Sequence, residues 1–144
     1  MTNVEQLFEK MQARDDQPAV AWHGAEHSYG WLLQEADDWG ARLNELGIGS
    51  GSICGVMGDY SPQVCAVFLA LMRAGAVLVP FTKAATSQMA ESTALAGVQW
   101  LLTFNDDEAW ISEQLSPGEP NDLVTEFLER QHPGLVVFTS GSTG

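Results

Sequence analysis

Residues Ser52 to Pro80 read SICGVMGDYSPQVCAVFLALMRAGAVLVP, and this stretch decides the fold. Ser52 to Met57 is an apolar run of strand length. Ser61 and Pro62 then supply an N-cap and a first-turn proline, two residue types that start helices. From Gln63 to Arg73 the residues are apolar nearly all round, the pattern of a helix buried against a sheet. Gly75 provides the cap that ends it, and Ala76 to Val79 returns as a strand closed by Pro80. A strand, an apolar helix and a second strand in succession form a crossover unit, and the right-handed rule makes the two strands parallel. Val64 to Phe81 is also close to membrane-spanning length. Arg73, costly in lipid, and Gly75 divide it into helix and strand, so it reads as core rather than as a membrane span.

The neighbouring segments repeat this logic. Thr86 to Ala96 places Met89, Thr93 and Ala96 on one helical face, Gly97 caps it, and Val98 to Phe104 forms the next strand. From Asn105 to Pro120 the pattern weakens into acidic residues, Pro117, Gly118 and Pro120, which reads as a loop with one helical turn at most. Asp122 to Arg130 is amphipathic through Leu123, Phe127 and Leu128, and Leu135 to Phe138 reads as a buried strand. On the amino-terminal side, Leu32, Ala36, Trp39, Leu43 and Leu46 recur at alternating spacings of four and three, with Glu35, Asp37, Asp38 and Glu45 opposite. That is a surface helix, N-capped by Ser28 and ended by Gly47. Ala19 to Trp22 and Glu26 to Tyr29 make a hairpin around His23-Gly24-Ala25, and Val4, Leu7, Phe8 and Met11 mark a short helix over Asn3 to Arg14. The alternation implies an α/β fold with a mainly parallel sheet flanked by helices.

Composition narrows the function. The chain has 144 residues, 6 Lys+Arg against 19 Asp+Glu and a formal charge of −13, with 45% hydrophobic residues. A chain of this length buries enough surface to need no disulfide or metal. Its acidity, at a sequence pI near 4.2, leaves no basic cluster to displace counterions from phosphates, which excludes nucleic acid and an anionic membrane surface as partners. Cys54 and Cys65 form no metal-ligand spacing and read as reduced packing residues. The first residues carry alternating charge without an apolar core, so no secretory signal is expected and the location is cytoplasmic.

The most chemically suggestive segment is Thr139-Ser-Gly-Ser-Thr-Gly144, directly after an apolar strand. Glycines let backbone N–H groups turn around an anion, and Ser and Thr hydroxyls add donors, so the hexapeptide suits phosphate. It is not a Walker A loop, since the pattern G-x-x-x-x-G-K-[ST] is absent. His23-Gly-Ala-Glu-His27 satisfies H-x-x-E-H, but that pattern holds zinc only when a helix brings both imidazoles to one face, and here it falls on a hairpin turn. No G-x-S-x-G elbow occurs, and the Gly47, Gly49, Gly51 series follows a helix, contrary to the dinucleotide fingerprint. The five tryptophans, at 22, 31, 39, 100 and 110, read as core and contact residues.

Three segments together resemble the amino-terminal part of the adenylate-forming enzymes, the superfamily of acyl-CoA synthetases, peptide-synthetase adenylation domains and luciferases. Ser28-Tyr-Gly-Trp-Leu32 looks like the family's (T/S)-Y-x-x-L box, Leu71-Met-Arg-Ala-Gly-Ala-Val-Leu-Val-Pro80 matches L-x-x-A-G-a-x-x-V-P, and Phe138-Thr-Ser-Gly-Ser-Thr-Gly144 matches the start of the phosphate-loop signature. The resemblance implies two half-reactions: ATP and a carboxylic acid give an acyl-adenylate and pyrophosphate, and a thiol of CoA or a carrier phosphopantetheine then takes the acyl group. It implies that Thr139, Ser140, Gly141, Ser142, Thr143 and Gly144 grip the ATP phosphates, and that the first two boxes are scaffold. Phe81-Thr82-Lys83 departs from the Asp and Pro that the amino-acid-activating branch shows there, which favours an acyl or aryl acid ligase of the acyl-CoA synthetase type. The family's Mg2+-binding acid, its ribose-binding Asp, most of its acyl pocket and its lysine are expected beyond Gly144. Residues 1–144 are accordingly expected to be a partial subdomain ending within the phosphate loop, with no catalytic residue of their own. They would be completed by a carboxyl-terminal portion or a second chain, with a homo-oligomer also open. The alternative is a non-catalytic α/β interaction module or an inactive truncated product.

Overall fold

The computed structural model describes residues 3–81, 96–115, 126, 129 and 134–136. At its centre is the crossover unit: β3 (Ile53–Met57), α3 (Pro62–Ala74) and β4 (Val77–Phe81), with β3 and β4 parallel in the register Ile53↔Val77 to Met57↔Phe81. Ser61 caps α3 by accepting from the Val64 amide at 3.3 Å, Pro62 opens the helix, and Gly75 ends it at φ 79°. The strand continues through Pro80 to Phe81 rather than stopping before it.

β5 (Trp100–Phe104) joins the other side of β3, also parallel, and β7 (Gly134–Leu135) joins β4 in the same direction. The outermost strand is β6 (Trp110–Gln114), antiparallel to β5, so the described sheet runs β6-β5-β3-β4-β7. β6 corrects the expectation of a loop over residues 105–120. Asn105 builds a tight turn: its side-chain oxygen accepts from the amides of Asp107 at 2.9 Å and Ala109 at 3.0 Å, and Glu108 takes φ 64°. That turn returns the chain alongside β5 as a strand exposed at every residue. Leu135 is likewise not the buried strand residue expected; it is 59% exposed at the opposite edge.

Two apolar layers cover the sheet. On one face Cys54, Val56, Leu78, Leu102 and Phe104 pack with residues of α2 (Tyr29–Leu46) and α3. On the other, Ile53, Val77, Val79, Phe81 and Leu101 pack with Ala96 and Val98. Gly55 faces this second layer, and a Cβ there would lie 3.0 Å from Phe81 and 3.1 Å from Leu101. The centre of the sheet is thus filled to the point where one methyl group must displace a neighbour.

The helix of residues 29–46 carries the expected apolar stripe. Leu32, Ala36, Trp39 and Leu43 are buried, and Gly47 closes it at φ 86°. It starts at Tyr29, where Ser28 accepts from the Trp31 amide at 3.1 Å. Gly30 lies against Asp15, whose carboxylate occupies the space a side chain at residue 30 would need. Trp39 is wholly buried; its indole N–H donates to Gln63 at 2.7 Å, and Gln63 in turn donates to Glu35 at 3.0 Å. α1 (Asn3–Gln12) lies against α2 and α3 through Phe8 and Met11, and β1 (Pro18–Trp22) pairs with β2 (Ala25–Ser28) as the expected hairpin. Arg73 reaches back to Asp37 at 2.6 Å and stacks over Phe8, so its charge lies outside the core. Among the described residues no helix is long and apolar enough to cross a membrane. The expected helices over residues 86–96 and 122–130 lie largely outside the described residues; Ala96, Glu126 and Glu129 are helical, and Gly97 takes φ 69°.

Candidate functional site

Because β3, β4, β5 and β7 run in one direction, their carboxyl ends share one edge of the sheet. Open α/β sheets bind ligands in the crevice outside such ends. The chain leaves β3 through Gly58, Asp59, Tyr60 and Ser61. Gly58 donates its amide to the Phe81 carbonyl at 3.2 Å, which ties the exit of β3 to the end of β4. Its φ is 149°, and a Cβ would meet Phe104 at 3.1 Å, so glycine is required where the three strand ends converge. Ser61 is almost fully buried by its capping role, and its amide donates to the Asp59 carbonyl at 2.7 Å. The first turn of α3 begins at this edge and directs backbone N–H groups towards it. Tyr60, 60% exposed, stands edge-on to Phe68.

The charge at this edge is uneven. Asp59 follows β3, and Asp106, Asp107 and Glu108 follow β5. In the described loops after the strands, residues 58–61, 105–109 and 136, there is no Lys or Arg. Cys65 sits in the first turns of α3, where burial raises its thiol pKa and the Glu108 carboxylate raises it further. A thiol held protonated in this way is a poor nucleophile. The described acidic residues therefore disfavour an anion beside β5.

β7 lies on the far side of the sheet from these acids. Leu135 pairs with Leu78, and the Val136 amide donates to the Leu78 carbonyl at 2.9 Å, so the chain runs parallel to β4 as far as Val136. Thr139, Ser140, Gly141, Ser142, Thr143 and Gly144 themselves lie outside the described residues, as does His132. His23 and His27 fall at the tip of the β1–β2 hairpin and in β2, each stacked on a different tryptophan, Trp22 at 4.4 Å and Trp31 at 4.1 Å. No helix brings these imidazoles to one face. Among the described residues no three His, Cys, Asp or Glu side chains converge in a way that could hold a metal ion. No sequence motif singles out the loop residues Asp59, Tyr60 and Asn105. Their signal is position alone, as the first residues after apolar runs that prove to be parallel strands.

A family model described as AMP-binding enzyme matches residues 7–144. The chain belongs to the AMP-binding enzyme family. Similar proteins include bacitracin synthase 1 of Bacillus licheniformis, 26% identical over 98% of this chain and 3% of that protein. The D-alanine–D-alanyl carrier protein ligase of Streptococcus pneumoniae is 24% identical over 98% of this chain and 30% of its own length. Among solved structures, the amino-terminal subdomain of Klebsiella oxytoca NpsA, in complex with 3-hydroxyanthranilyl-AMSN, superposes with a TM-score of 0.72 at 22% identity. That match covers 96% of this chain and 38% of the other. The chain thus spans at most about a third of the length of these two curated relatives, and the structural likeness supports the fold of a mixed, mainly parallel sheet flanked by helices.

Proposed function

We propose that residues 1–144 form the amino-terminal portion of an ATP-dependent carboxylic acid ligase, and that Thr139 to Gly144 hold the pyrophosphate end of ATP. The observation that carries this reading is the family match running through the hexapeptide, together with the direction of β7, which leads to the carboxyl edge of the sheet. In the first half-reaction a carboxylate oxygen bonds to the α-phosphorus as the bond to pyrophosphate breaks. In the second, a thiol sulfur bonds to the acyl carbon as AMP leaves. Fixed backbone and hydroxyl donors at residues 139–144 would stabilise the charge that accumulates on the departing pyrophosphate. The described residues do not fit a Mg2+ ligand set, so no step is assigned to that ion.

Two acceptors have support. Phe81-Thr82-Lys83 favours an acyl or aryl acid passed to CoA, in the manner of acyl-CoA synthetases. The carrier named in the D-alanine ligase relative favours a carrier-bound phosphopantetheine. Supplying free CoA or a carrier protein bearing phosphopantetheine to the longer enzyme, and weighing the thioester formed, separates the two.

The phosphate role is tested in that longer enzyme by Ser140→Ala combined with Thr143→Ala. The expected result is a loss of about 100-fold in kcat/KM for ATP with an unchanged thermal midpoint, the scale seen when fixed donors to a developing anion are removed. Unchanged ATP kinetics would overturn the assignment. Residues 1–144 alone are expected to show no acid-dependent ATP–pyrophosphate exchange.

A further inference from the structure

Among the described residues no strand pairs with the outer edge of β6. The described sheet ends there, and all of β6 is exposed, Ile111 by 67%. Its ladder shows which backbone groups face outward. The Asn105 amide donates to the Ala109 carbonyl at 2.9 Å and the Leu115 amide to the Gln99 carbonyl at 2.8 Å. Antiparallel alternation then turns the amide groups of Ile111 and Glu113 towards β5 and those of Trp110, Ser112 and Gln114 away from it. The register is unbroken from Phe104↔Trp110 to Trp100↔Gln114, so no bulge twists the edge aside. The strand WISEQ contains no Pro, Lys or Arg, and its only edge-protecting charge is Glu113.

This strand complements itself. About a two-fold axis through Ser112, its middle residue, a second antiparallel copy places Ser112 opposite Ser112, Trp110 opposite Gln114 and Ile111 opposite Glu113. The outward amides of Trp110, Ser112 and Gln114 then meet outward carbonyls of the second copy at every step. The two Glu113 carboxylates do not face each other; each lies beside an exposed isoleucine. We propose that β6 is a self-association edge, through which two copies of this chain join antiparallel at Ser112 into one continuous sheet. The inference is independent of the ligase reading. A single strand pair buries little surface, so the association is weak and transient. Each copy carries −13, so it strengthens as salt screens the repulsion.

Sedimentation velocity of the purified chain over a range of concentrations tests this. The weight-average sedimentation coefficient should rise with concentration, and more steeply as the Debye length shrinks from about 30 Å at 0.01 M to about 8 Å at 0.15 M salt. Ser112→Pro removes an outward amide and no ladder bond within the chain, so it should keep the native circular dichroism and abolish the rise. Ser112→Lys and Ser112→Glu each set like charges across the axis and should weaken self-association by about fivefold. Mixing those two variants should restore it to wild-type strength or beyond, and this test stands even if Ser112→Pro fails to fold. A wild-type chain that stays monomeric at every concentration and salt overturns the proposal. So does association that neither like-charge variant weakens or that their mixture fails to restore.

Discussion

β3 and β6 are five-residue strands of one sheet, separated by β5, and they behave as opposites. β3 buries four of its five residues, including Ile53, Cys54 and Val56, between two apolar layers. β6 buries none. What holds β3 is desolvation on both faces; what holds β6 is its hydrogen-bonded ladder to β5, the Asn105 turn and the contact of Trp110 with Trp39. The same secondary structure is thus reached through packing at the centre and through local geometry at the rim.

The contrast should be largest in stability. Ile53 is 1% exposed, and Ile53→Ala is expected to cost about 2–5 kcal/mol, the range for emptying a core isoleucine. Denaturant titration reads it directly, and a cost below about 1 kcal/mol would mean the sheet centre collapses around the gap. Next comes pH. Burial pushes the Cys54 thiol from its ordinary 9.0 up to about 12. The unfolded chain releases this proton near 9 while the folded chain keeps it, so between those values the folded state binds more protons. The contribution is fully present below the unfolded pKa and is lost as pH rises towards the folded one, by up to about 1.4 kcal/mol per pH unit. Cys54→Ala, although less stable at neutral pH, should show a shallower alkaline decline in its urea midpoint. The smallest effect belongs to the rim, where Ile111→Ala should stay within about 0.5 kcal/mol of wild type. A larger loss there would show that β6 depends on packing after all.

This division explains what was legible in the sequence. The helices of residues 29–46 and 62–74 could be bounded because their ends are chemical: Ser28 and Ser61 accept amide hydrogen bonds, and Gly47 and Gly75 adopt positive φ. β3, β4 and β5 were visible as apolar runs because both of their faces are buried. β6 was hidden because a strand wet on both faces has no apolar alternation to display. The turn Asn105-Asp-Asp-Glu108 ahead of the β-forming pair Trp110-Ile111 was the only trace it left. Leu135 misled in the opposite sense, since an apolar residue in an edge strand need not be covered. At the candidate site, the parallel direction of β7 followed from the alternation of elements, while the gathering of Gly58, Phe81 and Phe104 at one edge depends on contacts between strands far apart in sequence.

The contact between Trp39 and Trp110 has an optical consequence. The two indoles lie 4.8 Å apart at 59°, close enough for their transition dipoles to couple and oblique enough for the coupling to be chiral. One ring belongs to the wholly buried face of a helix and the other to the rim of the sheet. Their shared near-ultraviolet ellipticity is therefore a built-in gauge of whether the rim is seated on the core, readable in unlabelled protein and separable from the folding of the core itself.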